Sequence, residues 1–248
     1  MLGAFLGMLI SVVTAAVVGV RLLAVARRTR ELPELSAGVG LVAFALAQLG
    51  GMLMAGLGDG LAPGASQALR GFTLFQFSLT SFGLSLFTVE TFGRTAWRWA
   101  LAASIVVAGV TLRIAILHYE IPILSVGTPH SAIPSIAALT FSLGFVWLGI
   151  EGLQYHRRAR RAYWIGLASA QVVSRFLVLG VGGLVSGLLA TAAAVTGLLD
   201  GSLVGLGRLF IVSSGLVTAV VLVLAFVPPA AYRNFIEARA ARREASHA

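Results

Sequence analysis

The amino-acid sequence predicts an all-α polytopic membrane protein. It reads as a seven-transmembrane-helix bundle with its N-terminus outside, its C-terminus cytoplasmic, and a short amphipathic helix after the seventh span. Three observations predict this. Of 248 residues, 58% are hydrophobic and 11% charged, whereas a water-soluble domain carries about 25% charged residues. Seven stretches reach the ~20 predominantly apolar residues that a helix needs to cross the hydrocarbon core. Fourteen of the eighteen basic residues fall on alternate connections between those stretches, the asymmetry that the positive-inside rule ties to the cytoplasmic face.

The first stretch, 3–25, carries Arg21 near its end and is followed by Arg27, Arg28 and Arg30. Ala24 and Ala26 offer an Ala-x-Ala-like cleavage site. No basic region precedes the apolar core, however, so the segment reads as a retained helix rather than a signal peptide. The second and third spans, 36–57 and 70–92, lead to Arg94 and Arg98, and the fourth is 97–118. The fifth, 133–155, runs into Arg157, Arg158, Arg160 and Arg161. The sixth is placed at 174–198, because a start at Tyr163 would draw Arg175 into hydrocarbon at a cost of roughly 3 kcal/mol. Residues 162–173 then form a cytoplasmic or interfacial lead-in. The seventh span, 207–228, stops at Pro228-Pro229. After it, Tyr232, Phe235, Ile236 and Arg239 recur at helical spacing, as in an amphipathic helix lying on the inner membrane face. Arg233, Arg239, Arg242 and Arg243 complete the basic side, whereas only Arg70 and Arg208 lie near helix ends on the other. Trp97, Trp99, Tyr155, Tyr163 and Trp164 flank the basic loops like an interfacial aromatic belt. The organisation is a bundle over 1–229 and a basic cytoplasmic tail over 230–248.

A pseudo-repeat is visible at an offset of 132. It relates Gly50-Gly51 to Gly182-Gly183, and Ser81-x-Gly83-Leu84 to Ser213-x-Gly215-Leu216. Segments 3–92 and 133–228 would then be parallel repeats about the fourth helix, a 3+1+3 plan of the kind that places a transporter's substrate between its halves. Common residues in a Gly- and Leu-rich chain would produce the same matches.

Several functions are disfavoured by composition. The net charge of +9 is membrane topology rather than a nucleic-acid footprint. All eighteen basic residues are arginine and cysteine is absent, which leaves no Schiff-base lysine, disulfide or thiolate site. No nucleotide-binding, HExxH or GxSxG pattern occurs, and aspartate stands only at 59 and 200, in loops. Neither enzymatic activity nor a cofactor is expected. His118 and His130 form no recognised metal-binding spacing, so no metal is expected, and His156 reads as solvated.

Ionisable groups inside a membrane are functional candidates by default. Glu90, Glu151 and Arg175 fall at similar depth near the cytoplasmic side. Pairing of Arg175 with either carboxylate would make a latch there, or a packing salt bridge, or the groups could snorkel to the interface. Arg113, with His118 and Gln76, marks a possible outer pocket for an anionic ligand, bordered by Asp59, Glu120 and Asp200. Alternatively Arg113 snorkels outward to a headgroup or to Asp200. Gln48, Ser78, Thr80, Ser81 and Gln171 either line a central pocket or bond between helices. Gly3-x-x-x-Gly7 and Gly183-x-x-x-Gly187 allow close helix contact within one chain or in a homo-oligomer.

Glu151, the run Ile165-Gly166-Leu167-Ala168 through Val173-Ser174-Arg175-Phe176, Phe226-Val227-Pro228-Pro229 and the early 27–34 segment together resemble a group of bacterial seven-helix membrane proteins. In layout these are similar to the seven-helix sensor modules of histidine kinases. The resemblance carries over no function and no binding residue. A receptor or sensor in the bacterial inner (plasma) membrane is expected instead from the outside N-terminus, the basic third cytoplasmic loop, the Glu151–Arg175 latch and the amphipathic helix after the seventh span; with no kinase domain following, it would signal through a separate partner protein. A small-solute transporter with the 3+1+3 plan, or a structural subunit of a membrane complex, are the competing readings.

Overall fold

The computed structural model describes residues 2–57, 60–119, 132–200 and 206–245. These form eight helices: α1 (Leu2–Thr29), α2 (Leu32–Leu57), α3 (Pro63–Phe92), α4 (Ala96–His118), α5 (Ala132–Trp164), α6 (Ala170–Asp200), α7 (Leu206–Phe226) and α8 (Ala230–Ala245). Seven of the eight, α1 to α7, are long and apolar enough to cross a membrane.

Most helices run further than their apolar stretches. The helix α5 has 33 residues, about 50 Å at 1.5 Å per residue, against a core of about 30 Å. Its surplus turns carry Arg157, Arg158, Arg160 and Arg161. Similarly α1 continues through Arg27 and Arg28, where cations favour the negative end of the helix dipole. Pro63 sits in the first turn of α3, where its missing N–H costs no hydrogen bond. The helix α3 ends at Gly93, whose φ of 113° is open to glycine and strained for other residues. A turn at 165–169 separates α5 from α6, so the sixth span begins four residues before the expected 174 and Arg175 lies in its second turn.

Around the bundle, α1 packs on α2 and α7, α2 on α3, α3 on α5, α5 on α6, and α6 on α7. Six helices thus close a ring, while α4 lies outside it against α3 and α5. The turns α1–α2, α3–α4 and α5–α6, with α8, lie at one end, called here the arginine-rich end. The other is the far end. Ser81–Leu84 and Ser213–Leu216, matched by the pseudo-repeat, meet different neighbours: Gly83 lies on Gly40 of α2, and Gly215 faces Ser11 of α1.

The surface is inverted relative to a water-soluble protein. Val17, Phe75, Val107, Ile114 and Leu188 are exposed on the ring's exterior, while Thr73, Thr80, Ser81, Thr88, Ser142 and Ser186 are buried. On α3 the hydroxyls of Thr73, Ser78, Thr80, Ser81 and Thr88 each donate to the carbonyl four residues earlier, so they enter an apolar interior already satisfied. Hydrocarbon provides no hydrophobic drive between helices, and close packing of small residues takes its place. Gly149 and Gly152 of α5 face Gly180 and Gly183 of α6 so closely that a methyl group on Gly180 would fall 2.7 Å from the Leu153 nitrogen.

Gly180→Val is expected to abolish the folded, monodisperse protein in detergent. Gly51→Val, where a Cβ meets nothing within 4 Å, should leave it intact. Size-exclusion profiles of the two variants compare them directly, and similar profiles would remove the α5–α6 contact as a determinant of the fold.

Candidate functional site

The buried face of α4 is a stripe at helical spacing: Arg98, Ala102, Ile105, Gly109, Arg113 and Ile116. Two of its members are arginines, one near each end of the helix. They organise two polar sites in an otherwise apolar bundle.

At the arginine-rich end, Arg98 turns inward between the exposed Trp97 and Trp99. Its Nε and Nη2 donate to the two carboxylate oxygens of Glu151, at 2.8 Å each, the fork-to-fork geometry in which guanidinium–carboxylate pairs are strongest. Glu151 is 1% exposed and Arg98 7%. The remaining Arg98 nitrogen, Nη1, donates to the backbone oxygens of Phe92 at 2.6 Å and Gly93 at 3.3 Å. The Tyr155 hydroxyl also donates to the Phe92 oxygen, at 2.6 Å. One arginine therefore ties the end of α3, the start of α4 and the body of α5 together. Gly93 takes part by being small, since a Cβ there would lie 3.1 Å from Nη1 of Arg98.

The expected latch is arranged differently. Glu90 pairs with Arg94 one turn on, through Nε at 2.8 Å, a pair in which the carboxylate side chain is buried and the arginine exposed. Arg175 pairs with neither Glu90 nor Glu151. Its Nε donates to the carbonyl of Ala225 at 2.8 Å, and its guanidinium lies 5.8 Å from the centre of the Phe226 ring. The reason is in the sequence: the helical donor to Ala225 would be the N–H of residue 229, which is proline and has none. His156, expected in solvent, bonds through Nδ1 to the Val173 carbonyl at 3.0 Å and staples α5 to α6. Tyr232 meets Ser174 at 2.6 Å and Gln171 donates to Glu237 at 2.7 Å, docking α8 on α6.

Above this end lies a cavity of about 60 Å³ lined by α2, α3, α5, α6 and α7, room for a handful of waters. Its walls are apolar, with Phe44, Phe87, Leu148 and Phe226 among them, and Thr80, Ser186 and Thr218 are the polar residues that border it. Thr218 donates to Ser186 at 3.0 Å and Thr80 to the Gln76 carbonyl at 2.8 Å. Toward the arginine-rich end, Phe87 meets Phe226 edge-on at 6.2 Å. Beside them Phe92, Tyr155 and Phe176 form a trio with centroids 4.9 to 6.0 Å apart.

Toward the far end, the trio Arg113, His118 and Gln76 does not assemble. His118 is exposed and its ring rests against Tyr119. Gln76 is buried on the face of α3 that carries Thr80, about 140° round the helix from Ser81, and it is Ser81 that Arg113 contacts, through Nη2 at 3.2 Å. Asp59, Glu120 and His130 lie outside the described residues, as does the side chain of Asp200. No cluster of three metal-ligating side chains occurs among the described residues. Compared with family models, curated proteins and solved structures, the chain matches none.

Glu151→Gln leaves Arg98 buried without its counter-charge and is expected to cost about 3–5 kcal/mol. The double variant Arg98→Met, Glu151→Met should recover most of that. Thermal unfolding in detergent measures both, and equal losses would mean that charge pairing is not what the site provides. Arg175→Met leaves the Ala225 carbonyl without its donor and is expected to cost about 1–3 kcal/mol in the same assay, and an unchanged melting temperature would break the assignment.

Proposed function

We propose that the chain is a receptor- or sensor-like multi-pass protein of the bacterial plasma membrane, with its N-terminus outside and its arginine-rich end in the cytoplasm. A small, uncharged and largely apolar molecule enters the central cavity, and the response passes to a partner protein at the cytoplasmic face. The observation that carries this reading is the position of the cavity directly above an aromatic floor. That floor is held by two arginines on helix-end carbonyls: Arg98 on Phe92 and Arg175 on Ala225. A ligand that parts the walls must shift Phe87 or Phe226, and Phe226 adjoins the carbonyl that Arg175 holds. A small movement inside the bundle thereby reaches the surface that bears α8 and the basic loops. Orientation is supported by the distribution of arginine. The apolar lining supports an uncharged ligand, since an ion here would lose its hydration to walls bordered by only three polar residues.

Transport is the second reading. One observation favours it: the cavity separates α2 and α3 from α5, α6 and α7, with α4 outside the ring, as a 3+1+3 carrier would have it.

The absence of native cysteine makes a single introduced thiol diagnostic. Thr218→Cys should react with a membrane-impermeant maleimide from one side only if the cavity is a receptor pocket. Reaction from both sides would replace that reading with transport, and reaction from neither would leave a packed structural subunit. In the same vesicles Ala241→Cys on α8 should react only from the cytoplasmic side, and the opposite result would invert the topology.

A further inference from the structure

The second buried arginine of α4 carries an inference independent of the cavity, because it lies on the other side of α3. Arg113 is 5% exposed. Helical side chains lean toward the N-terminus of their helix, and here that lean carries the guanidinium away from the far-end interface and into the bundle. Nη1 reaches the level of Gly109, where a Cβ would stand 2.9 Å from it. Gly109 is nine residues before the last residue of α4, His118, about 13 Å along the helix and hence close to the middle of a core about 30 Å thick. The group thus does not snorkel.

Its surroundings solvate it without neutralising it. Nη2 donates to Ser81 Oγ at 3.2 Å. Ser81 spends its own proton on the Phe77 carbonyl, and Thr140, whose hydroxyl also borders the Gly109 gap, spends its proton on Ala137. Nη1 is buried with no hydrogen-bond partner. Every carboxylate whose side chain is described, Glu31, Glu34, Glu90, Glu151 and Glu237, belongs to the arginine-rich end. The two salt bridges among the described residues are Arg94–Glu90 and Arg98–Glu151. A guanidinium at this depth, with Nη1 unpartnered and no counter-charge among the described residues, is an incomplete ion pair, and such groups mark ligand sites in membrane proteins.

We infer that Arg113, with Ser81 and Thr140 beside it, is a binding site for a single monovalent anionic group seated against Nη1 between α3, α4 and α5. The group is a small free anion or the carboxylate of a lipid-like acid, and both present the same chemistry to the guanidinium. Gly109 is part of the site because a side chain there would fill the space the guanidinium occupies.

The test is thermal unfolding of the full chain in nanodiscs of uncharged lipid, in a gluconate buffer, titrated with chloride, with acetate or with oleate. Binding predicts a melting temperature that rises by roughly 3–5 °C for each tenfold increase of ligand above its Kd. A response to chloride or acetate assigns a free anion, and a response to oleate alone assigns a lipid-borne carboxylate. Arg113→Gln should abolish the response. Should that variant fail to fold, Ser81→Ala, which removes the acceptor competing for Nη2, should lower the half-saturating concentration. The inference is overturned if none of the three probes shifts the wild type, or if Arg113→Gln responds as the wild type does. It is also overturned if a response emerges only on Asp59→Asn, Glu120→Gln or Asp200→Asn, since the chain would then supply the counter-charge itself.

Discussion

The pair formed by Arg98 and Glu151 is the constraint on which the arrangement of helices depends most. In water, α4 would be held against its neighbours by burial of apolar surface. In hydrocarbon that drive is absent, because lipid tails are as apolar as the helix face. Moreover, α4 sits outside the ring, touching chiefly α3 and α5, where Ala102, Ile105 and Ile116 of its buried stripe join only small apolar clusters with Val89, Trp147, Leu74 and Ala137. What fixes it is polar and localised. Arg98 holds the α4 start to Glu151 of α5 and to the last carbonyls of α3, and Arg113 holds the other half to Ser81 of α3. Neither Arg98 nor Glu151 is tolerable in that environment alone. Each is therefore a condition on the other's position, and the α3–α4–α5 corner is specified by chemistry rather than by shape.

The same logic explains what two of the arginines at the basic end do. A helix leaves its last carbonyls without internal donors, and inside a membrane each unsatisfied group costs several kcal/mol. At the end of α3 the Phe92 carbonyl receives Arg98 and Tyr155. At the end of α7 the Ala225 carbonyl, deprived of its partner by Pro229, receives Arg175. These two side chains answer to helix termination, whereas Arg157, Arg158, Arg160 and Arg161 are exposed on the last turns of α5. A tally of basic residues treats them alike. The fold separates them by which face of the helix they occupy.

That distinction marks how far the sequence could be read. Hydropathy alone located seven spans, since the cost of charge in hydrocarbon is large and additive along a segment. It ends the first and fifth spans at 25 and 155, short of Arg27 and Arg157, however, while the backbone carries α1 and α5 on as helix to Thr29 and Trp164. A count of loop arginines takes in Arg98 because topology rules ignore helical phase, although the spacing 98, 102, 105, 109, 113, 116 sets it on one face with Arg113. Glu151 and Arg175 both belong to the α5–α6 hairpin, yet they take different partners. Their separation depends on α5 presenting Glu151 to α4 rather than to α6, and neighbour order in a ring has no local signal. The true partner of Arg175 was legible, by contrast, because Pro229 stands four residues after Ala225 and leaves one carbonyl in need of a donor.

The helix α3 connects these sites. One face carries Thr80 toward the cavity. The next residue, Ser81, meets Arg113, Gly83 lies against the backbone of Gly40 on α2, and the final carbonyl is held by Arg98 and Tyr155. Five hydroxyls along α3, those of Thr73, Ser78, Thr80, Ser81 and Thr88, donate to its own carbonyls, so their protons do not tie it to its neighbours, and the Gly83–Gly40 contact is backbone on backbone. A helix of this kind can shift or rotate slightly without breaking a network along its length, and the strain of doing so falls on its two arginine contacts. In the proposed receptor, a ligand against Thr80 and Phe87 would therefore act on Arg113 and Arg98 together. An anion on Arg113 would in turn alter the position that α3 offers to the cavity, as linkage between two sites on one rigid element requires.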